Sequence, residues 1–280
     1  MILDGKKEAA ALRDKIKKEI SVLKEKTSKV PGLTVILVGN YPPSEIYVKN
    51  KIKNSKEVGI KSNVIRYSND VSEEEVLKKI DELNKDENVS GILVQLPLPE
   101  QISKEKIINI INPSKDVDGF HPINVGNLAS GQKAIIPCTP LGCSILIKKV
   151  EKDLTGKHAV IIGRSNLNGK PMAQLLLKEN CTVTIVHSKT KNIKEECRKA
   201  DILVVAAGVP NLVKKEWVKN GVIIIDVGIN KLKDKIVGDV EHNDVREKAK
   251  AITPVPGGVG PMTIACLLKN TLECFKDRLP

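Results

Sequence analysis

The chain has 280 residues and carries 46 Lys or Arg against 34 Asp or Glu, a net charge of +12. That length admits two domains or one large one, and the positive excess points to acidic partners: nucleic acid, anionic lipid or small polyanions such as nucleotides. Two Phe, three Tyr and one Trp are too few for the stacking platforms of a nucleic-acid binder, and no apolar run approaches the ~20 residues of a membrane span, so neither nucleic acid nor a membrane is expected as a partner.

With 41% hydrophobic and only 2% aromatic residues, the core must be built from Ile, Val, Leu and Ala, as in parallel sheets. The first element is an amphipathic helix, with Ala9, Leu12, Ile16, Ile20 and Leu23 at three- and four-residue steps. "LTVILVG" (33–39) reads as a buried strand, and "SEIYVKNKIKNSKEVG" (44–59) as a helix on which Tyr47 and Lys51 share a face that Ser44 begins. The alternating "NVIRYSN" (63–69) follows, then a helix opened by the capping box Ser72 and Glu75 and continued by Val76, Ile80 and Leu83. "GILVQLPLP" (91–99) is another buried strand, interrupted by the single polar residue Gln95. A stretch rich in Pro, Gly and Asp (111–131) breaks this rhythm and reads as a link between domains. Alternation resumes with "HAVIIG" (158–163), a helix from Lys170, "TVTIVHS" (182–188), a helix from Ile193, "DILVVAAG" (201–208) and "VIIIDVG" (222–228). A final helix covers 260–277. The expected class is α/β, with two doubly wound domains of which the second is of Rossmann type.

Six cysteines (Cys138, Cys143, Cys181, Cys197, Cys266, Cys274) form no C-x-x-C pair and have no His at zinc-finger spacing. Buried thiols in a reducing compartment and no metal site are expected. The opening "MILDGKKEAAALRDKIKKEI" becomes charged by its sixth residue, so no signal peptide is expected and the location reads as cytoplasmic.

After the strand at 158–163 comes "GRSNLNGKP". It is not a P-loop, since five residues separate Gly163 from Gly169 and Pro171 stands where Ser or Thr is required. Nor is it G-x-G-x-x-G, because Ser165 occupies the second glycine position. The context still suits a diphosphate: strand, Gly-rich turn, then a helix start with Pro171 in its first turn. A tight βα turn without ligand is the alternative on spacing alone. The next strand ends in His187, Ser188, Lys189 and Thr190, with no acid for a ribose 2′-hydroxyl, and Arg164 lies in the first turn. A cationic, hydroxyl-bearing pocket favours NADP over NAD.

Several motifs, in order along nearly the whole chain, resemble one family: "YVKNK" (47–51), "GILVQLPLP" (91–99), "KDVDGFHP" (115–122), "PCTP" (137–140), "GRSNLNGKPM" (163–172), "HSKT" (187–190), "DVGIN" (226–230) and "TPVPGGVGPMT" (253–263). The family is the bifunctional methylenetetrahydrofolate dehydrogenase/methenyltetrahydrofolate cyclohydrolase. The resemblance implies a cytosolic homodimer with a folate substrate, which interconverts 5,10-methylene-, 5,10-methenyl- and 10-formyltetrahydrofolate using NADP and then water. It implies a catalytic set of Lys51, Tyr47, Gln95 and Asp118. It implies substrate contacts at Tyr47, Val48, Lys49, Asn50, Lys51, Val94, Gln95, Leu96, Asp118, Pro256, Gly257, Gly258, Val259 and Gly260. Cofactor contacts fall on Gly163, Arg164, Ser165, Ser188 and Ile229. The expected division is a folate-binding, catalytic domain over 1–120 and an NADP-binding Rossmann domain over 121–280, with the last helix (about 261–277) returning to the first. Two departures from the family pattern are Asn168, where a β-branched residue is usual, and "YPPSEIY", with Pro43 where Ala is usual.

The residues suit that chemistry. Hydride loss needs the methylene carbon placed against a nicotinamide with water excluded, whereas hydrolysis needs a proton moved. A lysine serves the second task if burial leaves it partly neutral, and Gln95 can orient it without fixing it as a cation, as a carboxylate would. Asp118 can accept two hydrogen bonds from an aminopyrimidine edge, a role compatible with forming a turn before Gly119. His121 and His187 sit beside turns and are assigned structural roles. The competing readings are a dehydrogenase without hydrolase activity and a basic Rossmann-like nucleic-acid or regulatory binding protein.

Overall fold

A computed structural model describes residues 1–233 and 235–279. The chain divides into two compact units, Ala10–Cys138 with Ile264–Pro280, and Met1–Ala9 with Thr139–Thr263.

The 10–138 unit contains most of α1 (Gly5–Thr27), then β1 (Gly32–Val38), α2 (Pro42–Val58), β2 (Lys61–Tyr67), α3 (Glu73–Lys85), β3 (Gly91–Val94), α4 (Lys104–Ile110) and α5 (Pro122–Ala129). Its three strands run parallel in the order β2-β1-β3. The central strand β1 is buried at all seven positions, which is why it reads as an apolar run broken only by Thr34, whereas the edge strand β2 is partly exposed. Ser72 caps α3, its hydroxyl accepting from the Glu75 N–H at 3.2 Å. Gly59 ends α2 at φ +89°, a left-handed position that glycine adopts without a Cβ clash. The strand expected over 91–99 stops at Val94, because Pro97 and Pro99 have no N–H to donate to a ladder. The stretch 111–131 is more than a break: it holds a 3-10 turn at Pro113–Lys115 and the helix α5, and it buries Lys115, Asp116, His121 and Asn124.

The 139–263 unit begins within α6 (Cys138–Val150) and continues through β4 (His158–Ile162), α7 (Gly169–Lys178), β5 (Thr182–Val186), α8 (Ile193–Arg198), β6 (Ile202–Val205) and β7 (Val222–Asp226). The hairpin β8 (Asn230–Leu232) and β9 (Lys235–Val237), α9 (His242–Val245) and β10 (Ala249–Ile252) follow. Five parallel strands pair in the order β10-β7-β6-β4-β5, and Ile2 bridges to Ile252 at the β10 edge. Strand order reverses between β4 and β6, the place where open α/β sheets bind ligands beyond their carboxyl ends. The core between these strands and their helices is mostly aliphatic, with Trp217 its one large aromatic among the described residues. The last helix, α10 (Val259–Lys276), groups from Ile264 onward with the 10–138 unit, where the Asn270 amide donates to the carbonyls of Val117 (2.9 Å) and Ile136 (2.8 Å).

Candidate active site

Along α2 the buried positions Ser44, Val48, Ser55 and Val58 lie on one face, and half-buried Lys51 fills the step between Val48 and Ser55, so one lysine lies on the inward stripe. Lys49, Lys53 and Lys56 are exposed. Lys51 Nζ donates to Gln95 Oε1 at 2.9 Å. Gln95 follows β3 directly, its backbone N–H donating to Ile36 O and its side-chain amide to Leu96 O at 2.7 Å. With its NH2 so engaged, the amide must turn its oxygen to the amine. Burial holds the Lys51 ammonium below its ordinary pKa, against the opposing pull of Asp118 and Cys138. The structure therefore supplies a lysine whose pKa burial lowers, held by a neutral acceptor. Tyr47, one turn before it, is 38% exposed, and partial burial raises its phenol pKa.

Asp118 is brought into the same neighbourhood by the loop before α5. Burial pushes its carboxyl up to about 6, with Lys51 lowering it and Asp116 raising it. The turn-forming role compatible with Asp118 belongs instead to Asp116. One Asp116 oxygen accepts from the Gly119 N–H (3.1 Å), the other from the His121 N–H (2.8 Å) and the Asn124 amide (3.0 Å). Asp118 is thereby left for other partners, with Cys138 Sγ 4.0 Å from its Oδ1. Asp116 and Cys138 are the neighbours that reading by motif overlooked. The available signal was Asp116 three residues before Gly119, the Asp-at-first, Gly-at-fourth pattern of a β-turn, which the Gly119 N–H closes on Asp116 O. Burial, reinforced by Asp118, drives the Cys138 thiol well above its ordinary pKa. A recess lined by Val94, Leu96, Ile107, Phe120 and the charged Lys104 and Asp116 reaches Asp118.

The remaining expected substrate residues are distributed differently. Val48 is 1% exposed and faces the core, while Lys49 lines a surface groove with Glu45, Ile52 and Arg66, and Asn50 is exposed. Pro256, Gly257, Gly258, Val259 and Gly260 lie in the other unit and lead into α10. A Cβ on Gly258 would sit 2.6 Å from Pro254 O, whereas one on Gly260 would meet nothing within 4 Å. Of the two histidines, His121 accepts the Ile123 N–H through Nδ1 at 3.1 Å and His187 accepts the Lys189 N–H at 3.2 Å. Both imidazoles close turns.

In the 139–263 unit, β4 is followed by Gly163, which adopts φ +119° with its N–H on Val186 O. A Cβ there would lie 2.3 Å from Ala206 O, and one on Gly169 would lie 2.1 Å from Gly163 O. Both glycines are therefore required for the turn to close against β6 and admit the start of α7. Ser165 Oγ accepts the Asn168 N–H at 3.1 Å, so Asn168 takes part through its backbone. At the tip of β5, Thr190 Oγ1 accepts the His187 N–H, leaving Ser188 and Lys189 exposed, as Arg164 is. Ile229 is 53% exposed beyond β7. The turn lies beside the point where strand order reverses, and its two glycines keep it free of side chains where backbone packs on backbone. It fits a dinucleotide diphosphate, and the cations and hydroxyls without a carboxylate fit a 2′-phosphate.

Comparison with known proteins agrees with this geometry. The family described as tetrahydrofolate dehydrogenase/cyclohydrolase, catalytic domain, matches residues 3–118, and its NAD(P)-binding domain matches residues 137–279. The chain is 65% identical over 276 residues to bifunctional protein FolD of Pelagibacter ubique, covering 99% of this chain and 98% of that one. Among solved structures it resembles the bifunctional FolD dehydrogenase/cyclohydrolase from Campylobacter jejuni, with TM-score 0.97, 51% identity, and 100% and 99% of the two chains covered. It also resembles the Trypanosoma brucei dehydrogenase-cyclohydrolase complexed with NADP cofactor and inhibitor, with TM-score 0.95, 38% identity, and 99% and 97% covered.

Proposed function

The chain belongs to the tetrahydrofolate dehydrogenase/cyclohydrolase family, and from that premise we propose which of its residues carry the two reactions. The enzyme interconverts 5,10-methylene- and 5,10-methenyltetrahydrofolate with NADP and hydrolyses the latter to 10-formyltetrahydrofolate, in one-carbon metabolism. Bound NADP supplies the hydride acceptor. Gly163, Arg164, Ser165, Ser188 and Ile229 would hold it, the glycine leaving the backbone bare and the cation and hydroxyls offering donors to its phosphates.

Lys51 moves the proton that water addition and ring opening require, Gln95 aims its amine, Tyr47 flanks the substrate, and Asp118 receives the aminopyrimidine edge of the pterin. The observation that carries this assignment is the 2.9 Å contact between Lys51 Nζ and a neutral Gln95 oxygen, with the amine desolvated. In this division of labour the N-terminal part binds folate and the C-terminal part binds NADP, with the final helix serving the former. Grouping of Ile264–Pro280 with Ala10–Cys138 supports it. The same reading extends to a homodimer in the cytoplasm. Family resemblance supports the dimer, six buried cysteines support a reducing compartment, and light scattering at twice the chain mass would verify assembly.

The test of function is one preparation assayed twice: methylenetetrahydrofolate with NADP or NAD, and methenyltetrahydrofolate without nucleotide. Both reactions should proceed, the first faster with NADP. A protein active only in the first would leave Lys51 without the assigned role.

A further inference from the structure

Two buried aspartates that neither reaction uses join the loops at the carboxyl ends of β6 and β7. Asp226, 3% exposed, closes β7 and accepts from the N–H groups of Gly228 (3.0 Å), Asp239 (2.9 Å) and Val240 (3.0 Å). Its own N–H donates to Thr253 Oγ1 at 2.8 Å. Asp239, fully buried, accepts on Oδ2 from Ala207 N–H (2.7 Å) and Gly208 N–H (2.8 Å), and on Oδ1 from the Asn230 amide (2.8 Å). Glycines admit both carboxylates. A Cβ at Gly228 would stand 2.2 Å from Asp239 Oδ1, and one at Gly238 would stand 1.8 Å from Asp226 Oδ2.

The two residues have different reach. Asp226 ties β7 to the end of β10 through Thr253. Asp239 ties the loop after β6 to Asn230, the neighbour of Ile229, and β6 flanks the reversal of strand order. Three donors converging on one buried carboxylate fix the separation of those two loops more firmly than a neutral acceptor would.

We propose that Asp239 is a positioning residue for NADP: through Asn230 and the Ala207 and Gly208 amides it sets the spacing of the two loops against which the dinucleotide lies. This rests on the assignment of Ile229 and the β4 turn to the cofactor. Asp239 touches neither reactant, and the hydrolysis of methenyltetrahydrofolate, which needs no nucleotide, does not depend on it.

The experiment uses the full chain with Asp239→Ala, Asp239→Asn and Asn230→Ala. It measures NADP Kd by titration calorimetry, KM for NADP and for methylenetetrahydrofolate, and nucleotide-free cyclohydrolase activity. Asp239→Ala should weaken NADP binding about tenfold or more, with methylenetetrahydrofolate KM and cyclohydrolase activity within roughly twofold of wild type. Asp239→Asn, which keeps an oxygen for Ala207 and Gly208 but puts an NH2 where Asn230 donates, should recover only part of the loss. Asn230→Ala removes one contact at a less buried position and should weaken NADP about threefold, so the proposal stays testable if Asp239→Ala does not fold. Unchanged NADP affinity in Asn230→Ala and in folded Asp239→Ala, or a cyclohydrolase loss equal to the NADP loss, would overturn the proposal. Wild-type protein unable to bind NADP would instead overturn the cofactor reading and this proposal with it.

Discussion

Replacing Lys51 by Met should separate the two activities. Methionine keeps much of the unbranched side chain between Val48 and Ser55 on the inward face of α2 and removes only the amine. In the native protein that amine meets Gln95 Oε1 at 2.9 Å, and burial holds its pKa below the ordinary lysine value. A positioned proton-transfer group contributes about 10²–10⁴-fold, so cyclohydrolase activity should fall by about 10²-fold or more, near 2.7 kcal/mol of barrier. Hydride transfer depends on proximity and orientation rather than on that proton, so the dehydrogenase should fall less. Gln95→Glu provides the companion result. A carboxylate beside the amine favours the ammonium, so its lysine pKa rises and the limb of the pH–rate profile set by neutral lysine moves to higher pH. The variant should lose hydrolysis at neutral pH and recover part of it in alkali. Each rate is measured on its own substrate across pH, in purified wild type and variants. Wild-type hydrolysis of methenyltetrahydrofolate by Lys51→Met would return Lys51 to the solvated lysines around it.

Arg164→Ala should weaken NADP about tenfold, near 1.4 kcal/mol because the side chain is exposed, and leave NAD little changed; equal losses in the two Kd values would deny it the phosphate. Gly169→Ala would bring a Cβ to 2.1 Å from Gly163 O, so the β4–α7 turn must open, and both NADP affinity and Tm should fall while nucleotide-free hydrolysis persists. Asp118→Asn should change the pH dependence of stability. The native carboxyl titrates at about 6 against an ordinary 3.8, so the folded state holds the extra proton between those values. Its contribution is full below about pH 4 and is lost as pH rises through about 6, amounting to up to about 3 kcal/mol at 1.36 kcal/mol per pH unit. Asp118→Asn should therefore flatten denaturant-derived ΔG between pH 4 and 7, Asp226 keeping a dependence of the same sign, and it should raise the KM for folate. An unaltered slope would place the titration elsewhere.

Periodicity along the chain was enough for the α/β alternation, because a strand buried on both faces, such as β1, shows as a near-continuous apolar run and α3 begins at a recognisable cap. The β4 turn could be read as a nucleotide turn from strand, glycines and helix start, and the missing acid after β5 pointed to NADP. Motif resemblance picked out Lys51, Gln95 and Asp118, yet α2 taken alone offers several equivalent lysines. Only the fold puts Lys51 on the inward stripe and brings Gln95, 44 residues later, within 2.9 Å. That contact requires β1 and β3 to pair, and no local property of either segment encodes a long-range pairing. The same limit hid the carboxylates of Asp116, Asp226 and Asp239. In sequence Asp116 and Asp239 look like solvated turn acids and Asp226 like the polar end of a strand. In the structure each is buried, and backbone N–H groups that no helix or sheet ladder engages converge on it, since a buried amide must find an acceptor wherever the chain brings one.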